Sequence, residues 1–263
     1  MEDKLNIIDY SDLNRMALPA ILYKYREFDN EYHRRILTDN TVYFASPNSF
    51  LDTKDCHPKE LFPSEEIVFN RFWEMSIREF PNMSNDRRLK YVNERVSSAQ
   101  ILNRETRDSL IEALFSDYCK CHGVLSVTAN PSNSRMWEEY ANNHTGFCVG
   151  FDSTKLAMAS GGGGPVTYTD CIPDIRIWVD SPEEEHVKRV FYKEKKWEYE
   201  QEYRLCKIWP LAAIHKKIER NITLPDGCIV SVICGKNMGT GKIEEMRALL
   251  NRYQKNAELF IEQ

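Results

Sequence analysis

The stretch Trp197-Glu198-Tyr199-Glu200-Gln201-Glu202-Tyr203-Arg204-Leu205 carries the densest mixture of large aromatics and charges in the chain. It leads into Leu205-Cys206-Lys207-Ile208-Trp209, which reads as a strand closed by Pro210. A strand period of two extended back through the stretch puts Glu200, Glu202 and Arg204 on one face. Tyr199, Tyr203 and Leu205 then take the other. Two carboxylates and a guanidinium are costly to bury, so the face implies either a ligand-filled cleft or an ion-pair network. In a cleft, paired carboxylates suit proton transfer and the stabilisation of positive charge. A solvated edge strand with an Arg–Glu pair is the plainer reading of the same residues.

Other motifs offer less. Gly235-Lys236-Asn237-Met238-Gly239-Thr240-Gly241-Lys242 follows a strand and opens a helix, as phosphate loops do. Its spacing is one residue too long, and Ile243 stands where a Ser or Thr must reach magnesium, so it reads as a strand-to-helix turn. Cys119-Lys120-Cys121-His122 has metal-ligand types but no second ligand pair at a zinc spacing, and reads as core thiols. No G-x-S-x-G elbow is present. The loop after the second strand gathers Asp52, Asp55, Cys56 and His57.

The elements that must position these groups are strands and helices in mixed order. Ile21–Arg26 alternates apolar with polar, with Tyr23 and Tyr25 on one face and Lys24 and Arg26 on the other. Asp29 or Asn30 caps a short helix through Leu37, and residues 41–45 form a second strand. From about 60 to 120 a helical block interrupts the strands, with its first helix capped by Ser64. Residues 122–128 return to strand. Ser134 caps a helix carrying Met136, Trp137 and Tyr140, and His144 sits just past its end. Further strands are expected at 146–151, 166–168, 228–234 and 259–261, with helices from Ser181 and through Ile243–Tyr253. Gly161–Gly164 is expected to be a flexible, exposed loop. The expected fold class is α+β, with mixed or antiparallel sheets and a helical insertion at about 60–120, in a single domain over 1–263.

The chain has 263 residues, 42% hydrophobic and 29% charged, with a formal net charge of −5. That balance argues against a nonspecific nucleic-acid binder. No apolar run is long enough to span a bilayer, and Met1-Glu2-Asp3-Lys4-Leu5 lacks the layout of a signal peptide, so a cytoplasmic location with reduced thiols is expected.

Four blocks resemble the bacterial domain-of-unknown-function family 2971: Tyr23-Lys24-Tyr25-Arg26, Phe44 through Phe50, Met136 through Asp152, and Lys193 followed by Trp197 through Arg204. The matches run from residue 21 to about 235. Leu51-Asp52-Thr53 departs from the family's N-D-P, keeping only the aspartate. The order of motifs is also similar to that of ADP-ribosyltransferases of the arginine-serine-glutamate type, which would give the fold an ADP-ribosyltransferase-like form. That resemblance implies NAD as substrate, with Arg26 holding its pyrophosphate. Ser126, in Ser126-Val127-Thr128, buttresses the glutamate. Glu202 stands at the nicotinamide ribose and Glu200 acts as base on the acceptor. Tyr199 or Tyr203 stacks on the nicotinamide, and Tyr23, Thr128, Arg204 and His144 complete the binding set. The acceptor is a protein side chain, a nucleic-acid base or water, in a toxin or phage-defence setting with an antitoxin or defence-system partner. Two rival expectations stand beside it. One is a metal-dependent nuclease using Asp52, Asp55, Glu200 and Glu202 with Lys193 or Lys207. The other is a non-catalytic binding module in which the charges form a structural network.

Overall fold

The computed structural model describes residues 18–210 and 219–263; the reading of Met1–Leu5 lies outside the described residues. In chain order the elements are β1 (Ile21–Arg26), α1 (Glu31–Thr38), β2 (Thr41–Tyr43) and β3 (Glu60–Leu61). A helical block follows: α2 (Glu65–Glu79), α3 (Asn85–Ser97) and α4 (Arg107–Cys121). Then come β4 (His122–Thr128), α5 (Ser134–Tyr140), β5 (Phe147–Asp152), α6 (Ser153–Met158), β6 (Gly162–Pro165), β7 (Thr167–Thr169) and β8 (Ile175–Arg176). The chain closes with α7 (Pro182–Val190), β9 (Tyr192–Glu194), β10 (Glu202–Ile208), β11 (Asn221–Thr223), β12 (Ile229–Cys234), α8 (Thr240–Tyr253) and β13 (Glu258–Ile261). The fold class is α+β.

Seven strands form the main sheet, in the order β13-β12-β5-β1-β4-β10-β6. All its pairings are antiparallel except β12 with β13. One face carries the main core, with Leu22, Leu125, Val127, Phe147, Val149 and Leu205 among its buried side chains. On the other face, Trp137 of α5 packs with Tyr25 and Cys148, and Val187 and Val190 of α7 pack with Val124 and Cys206. The helical block has a cluster of its own around Val68, Val92, Val96 and Ile101.

Pairing between β1 and β4 is confined to Tyr23 with Thr128, whereas β1 pairs with β5 along its whole length. Beyond Tyr23 the two strands part, and β4 takes a bridge from Ala45 instead. The sheet is therefore split near its middle. Lys24 reaches across the split to the Ser126 carbonyl at 2.5 Å.

Caps follow the sequence in most places. Asn30 accepts from the Tyr32 N–H, Ser64 accepts from Ile67, and Ser181 with Glu184 forms a capping box. Helix α5 differs: Asn133, one residue earlier than expected, accepts from Arg135 and Met136. After α5 the chain turns through Asn142, Asn143 and His144, all with positive φ, and returns into β5. Asn tolerates that conformation through its short polar side chain. The turn is locked on both sides, because a Cβ on Gly146 would lie 2.2 Å from the Arg26 carbonyl and one on Gly235 would lie 2.1 Å from the His144 carbonyl.

Gly161–Gly164 is not the expected flexible loop. Gly162–Pro165 forms edge strand β6 on β10, with Gly164 opposite Arg204 and Gly163 opposite Leu205. The glycines serve close approach rather than mobility. A Cβ on Gly163 would meet the Arg204 carbonyl at 2.3 Å, while one on Gly161 would find its nearest neighbour at 3.4 Å. Gly163→Ala is therefore expected to cost about 2 kcal/mol or more, and Gly161→Ala under about 1 kcal/mol, by urea denaturation. Equal losses would show that the β6 backbone is not held against β10.

Candidate active site

The residues between β9 and β10 set the site's geometry. Lys195–Glu200 form a turn of 3-10 helix that ends at Gln201, whose φ of 45° is left-handed. The chain reverses there, and the strand starts at Glu202 rather than earlier. Glu200 thus reaches the cluster from the turn, not by the strand alternation expected for it. Both carboxylates meet the ammonium of Lys193 on β9: Glu200 Oε2 accepts from Nζ, and Glu202 Oε2 accepts at 3.0 Å. Asp55 from the loop after β2 comes within 3.6 Å of the same nitrogen.

Arg204 lies beneath, fully buried. Its Nε donates to Glu202 Oε1 at 2.8 Å, and one Nη donates to Asp55 Oδ2 at 2.7 Å and Glu202 Oε2 at 3.1 Å. The other Nη donates to the Val190 carbonyl at 2.7 Å and Cys56 Sγ at 3.3 Å. The guanidinium's whole donor set is satisfied. The Tyr140 hydroxyl donates to Glu200 Oε1 at 2.7 Å, and the Glu202 N–H donates to the Tyr168 hydroxyl at 2.8 Å.

Three carboxylates thus face two cations, Lys193 and Arg204, which leaves the cluster one positive charge short. The two glutamates respond in opposite directions. Burial and the neighbouring Glu202 raise the Glu200 carboxyl, against the pull of Lys193. Burial also opposes ionisation of Glu202, but Arg204 and Lys193 outweigh it and hold that carboxyl at about 2. Two adjacent acids with separated affinities for the proton are the arrangement that acid–base chemistry uses.

Tyr140, Lys193, Glu200 and Glu202 border a cavity of about 260 Å³ at the split in the sheet. Register puts Glu202 opposite Thr128, Arg204 opposite Ser126 and Tyr23 opposite Thr128, so all five share one sheet face. Lys24 and Arg26 pair with Val149 and Phe147 and so project from the other face, as the strand alternation predicts. They reach the cavity only because β1 and β4 part. Burial depresses Lys24 well below the usual lysine range, with Arg26 adding to the effect, and lowers Arg26 to about 10. Ser126 Oγ is buried without a hydrogen-bond partner of normal geometry, yet is close enough to Glu202 to help hold it ionised.

Of the residues singled out in the sequence, Tyr23, Arg26, Ser126, Thr128, Glu200 and Glu202 line this cavity. Four do not. Tyr199 lies at the surface, its hydroxyl on Glu139 and its ring under Arg135 at 3.8 Å. Tyr203 projects from the opposite face and packs on the main core. Arg204 sits behind Glu202 and holds it. His144 is turned away to Glu262, with Nδ1 2.8 Å from both carboxylate oxygens.

Of the residues offered for a metal, Asp52 and Lys207 lie apart from the cluster, and a lysine fills its centre. Asp52 accepts from Trp197 Nε1 and pairs with Lys196, Lys207 donates to the Ala159 carbonyl, and the Lys193 ammonium occupies the space among Asp55, Glu200 and Glu202. Among the described residues no group of three His, Cys, Asp or Glu is arranged to hold a metal ion.

The sequence reading missed Lys24 and Tyr140 as site residues. Tyr140 read as core, three residues after Trp137, but it is 38% exposed and turned to Glu200. The alternation in β1 placed Lys24 beside Arg26, but nothing in the sequence signals the split that exposes them.

The cluster makes two predictions about stability. Arg204→Met would leave three buried carboxylates facing Lys193 as the one remaining cation, at an expected cost of about 3–5 kcal/mol in urea denaturation. Glu202 has a folded pKa near 2, below its ordinary 4.5, so its ionised form stabilises the fold. That contribution is complete above about pH 4.5 and is lost as pH falls towards 2. Glu200 has the opposite sign, its contribution being lost as pH rises through its raised value. Glu202→Gln should therefore flatten the loss of stability between pH 4.5 and 2, read as urea midpoints against pH; an unchanged slope would contradict the assignment.

Residues 136–205 are similar to the family described as Protein of unknown function (DUF2971), a span that takes in α5 from Met136 on, the Asn142–His144 turn, Lys193 and the Glu200–Arg204 stretch but neither β1 nor the loop after β2. No curated protein and no solved structure matches the chain.

Proposed function

We propose that the cavity binds the nicotinamide riboside end of NAD and cleaves its glycosidic bond, passing the ADP-ribosyl group to an acceptor. The observation that carries this reading is the pair Glu200 and Glu202 on one cavity wall, with one carboxyl raised and the other held ionised, beside Ser126, Thr128, Tyr23 and Arg26. In the step, the bond from ribose C1′ to the nicotinamide nitrogen breaks and its electron pair leaves with nicotinamide. The ionised Glu202 faces the cationic ribose carbon. A nucleophile on the acceptor, or water, then bonds to C1′, and its proton passes to Glu200. The Tyr23 ring, on the same face, offers a stacking surface. A toxin or phage-defence role and a cytoplasmic location belong to the same proposal. All eight cysteines are free thiols, and among the described residues no helix is long and apolar enough to cross a membrane.

One observation favours a second reading. Both oxygens of Glu202 are already engaged by Arg204 and Lys193. A carboxylate neutralised in this way suits a structural network in a binding module, in which Glu200 and Glu202 do no chemistry.

The readout is nicotinamide release from NAD by the folded full chain. The transferase reading expects release by wild type, and a fall of at least about 100-fold in Glu200→Gln and Glu202→Gln with circular dichroism retained. It also expects the rate to fall on the acid side as Glu200 takes up its proton, at a pH above the ordinary glutamate value of 4.5. No release by folded wild type, in buffer or in cell lysate, would leave the network reading.

A further inference from the structure

A second cavity, of about 440 Å³, adjoins the first, and Lys24, Arg26 and Tyr43 line both. The second opens on the face of the sheet away from the carboxylates, between β1, α1, β2 and Asn221 of β11. Its lining includes Lys24, Arg26, His33 and Arg35 and no carboxylate. The carboxylates are thus confined to the first compartment, where Lys193 lies among them, while the second is lined by bases alone.

The bases are poorly paired. Neither Lys24 nor Arg26 forms an ion pair with a described carboxylate. The Arg26 guanidinium makes one long contact, 3.4 Å to the Tyr25 carbonyl, and Lys24 donates to the Ser126 carbonyl. Arg35, half exposed, has Asp39 at 3.9 Å and lies over the Tyr32 ring at 5.0 Å. Glu27 lies beside Arg26 in sequence without pairing with it, and Glu219 accepts from Asn221. Burial and the nearby Arg26 and Lys24 push His33 down to about 4. Neutral His33 accepts the Glu27 N–H at Nδ1, and its Nε2 faces the Asn30 amide at 3.5 Å. Holding cations together out of water is unfavourable unless an anion joins them. A cleft lined by one sign of charge concentrates ligands of the other.

We propose that this second compartment is a phosphate-binding site, in which Lys24, Arg26 and Arg35 hold the diphosphate of a nucleotide. A guanidinium pair offers forked donors to phosphate oxygens, and Lys24 adds a point charge. Tyr32 and Tyr43, 67% and 49% exposed, stand at its rim, where a base or sugar ring can lie against them. The site stands on its own charges and does not require the carboxylates to do chemistry. That the same nucleotide also reaches Glu200 and Glu202 through the split rests on the proposed function.

The test is calorimetric titration of the full chain with ADP, inorganic pyrophosphate, adenosine and a short single-stranded oligonucleotide, each at two salt concentrations. ADP is expected to bind at least tenfold more tightly than adenosine, with pyrophosphate competing for the site. Arg35→Gln, on the surface of α1, and Arg26→Gln should each weaken ADP at least tenfold, while Lys90→Gln on α3 should not. Four outcomes would overturn the inference: no heat with millimolar ADP from folded protein, adenosine binding as tightly as ADP, both arginine variants binding like wild type, or the oligonucleotide binding where ADP does not. ADP binding that Arg35→Gln weakens, in a protein that releases no nicotinamide, would sink the proposed function and leave the phosphate site standing.

Discussion

Arg204 is the side chain on which the site depends. A guanidinium cannot shed its charge at any pH that the fold withstands, so burying it obliges the chain to bring acceptors to every donor. They come from three separate segments. Glu202 lies on the same strand two residues away, Asp55 and Cys56 come from the loop after β2, and the Val190 carbonyl comes from the end of α7. The loop, the helix end and the strand are thereby fixed to one another at the cavity wall. The same bonds decide the state of Glu202, because a carboxylate gripped by a buried cation stays ionised. Glu200, gripped only by Lys193 and Tyr140, is left to carry the excess negative charge, which burial and Glu202 disfavour.

The second constraint is the parting of β1 and β4. A continuous sheet would have confined Lys24 and Arg26 to the core face and Glu202 to the other, with a layer of backbone between them. Because the strands share one pair, the two faces communicate through the split. Lys24 spans it, and Ala45 takes up the free edge of β4. Opposite charges that would collapse into a buried salt bridge if they shared a face are instead kept at the two ends of an open space. An open space with two carboxylates beside Lys193 at one end and bases alone at the other suits a ligand that carries both signs of charge at separate points.

The secondary structure was legible where local chemistry decides it. The alternation in Ile21–Arg26, the caps at Asn30, Ser64 and Ser181, and the helical block after residue 60 are set by side chains within a few positions of one another. The errors fell where distant backbone decides. Gly161–Gly164 reads as mobile until β10 lies against it, and Glu200 reads as strand until Gln201 turns left-handed. Among candidate site residues, Tyr23, Ser126, Thr128 and Glu202 came together because strand register is regular, whereas Arg26 joins them only through the split. The aromatics were harder. Tyr199 and Tyr203 looked like ring-stacking residues because of their neighbours, while Tyr140, which touches Glu200, looked like core because Trp137 nearby is core. A tyrosine's part in a site depends on where its hydroxyl ends, and sequence spacing carries no information on that.

Backbone conformation gives an independent view of the same site. Among the described residues, three of the seven non-glycine residues with positive φ are asparagines, the type that visits this region most readily. Cys56 and Gln201 are not of that type, and each follows a carboxylate of the cluster: Cys56 follows Asp55, and Gln201 follows Glu200. A left-handed turn at such a residue costs on the order of 1 kcal/mol or more and persists only where surrounding contacts hold it. Here the contacts that hold both turns are the cluster's own: Arg204 to Asp55 and Cys56, and Lys193 to Glu200 and Glu202. The backbone is thus fixed beside Asp55, behind the cavity, and beside Glu200 at its wall, which sets where those two carboxylates stand.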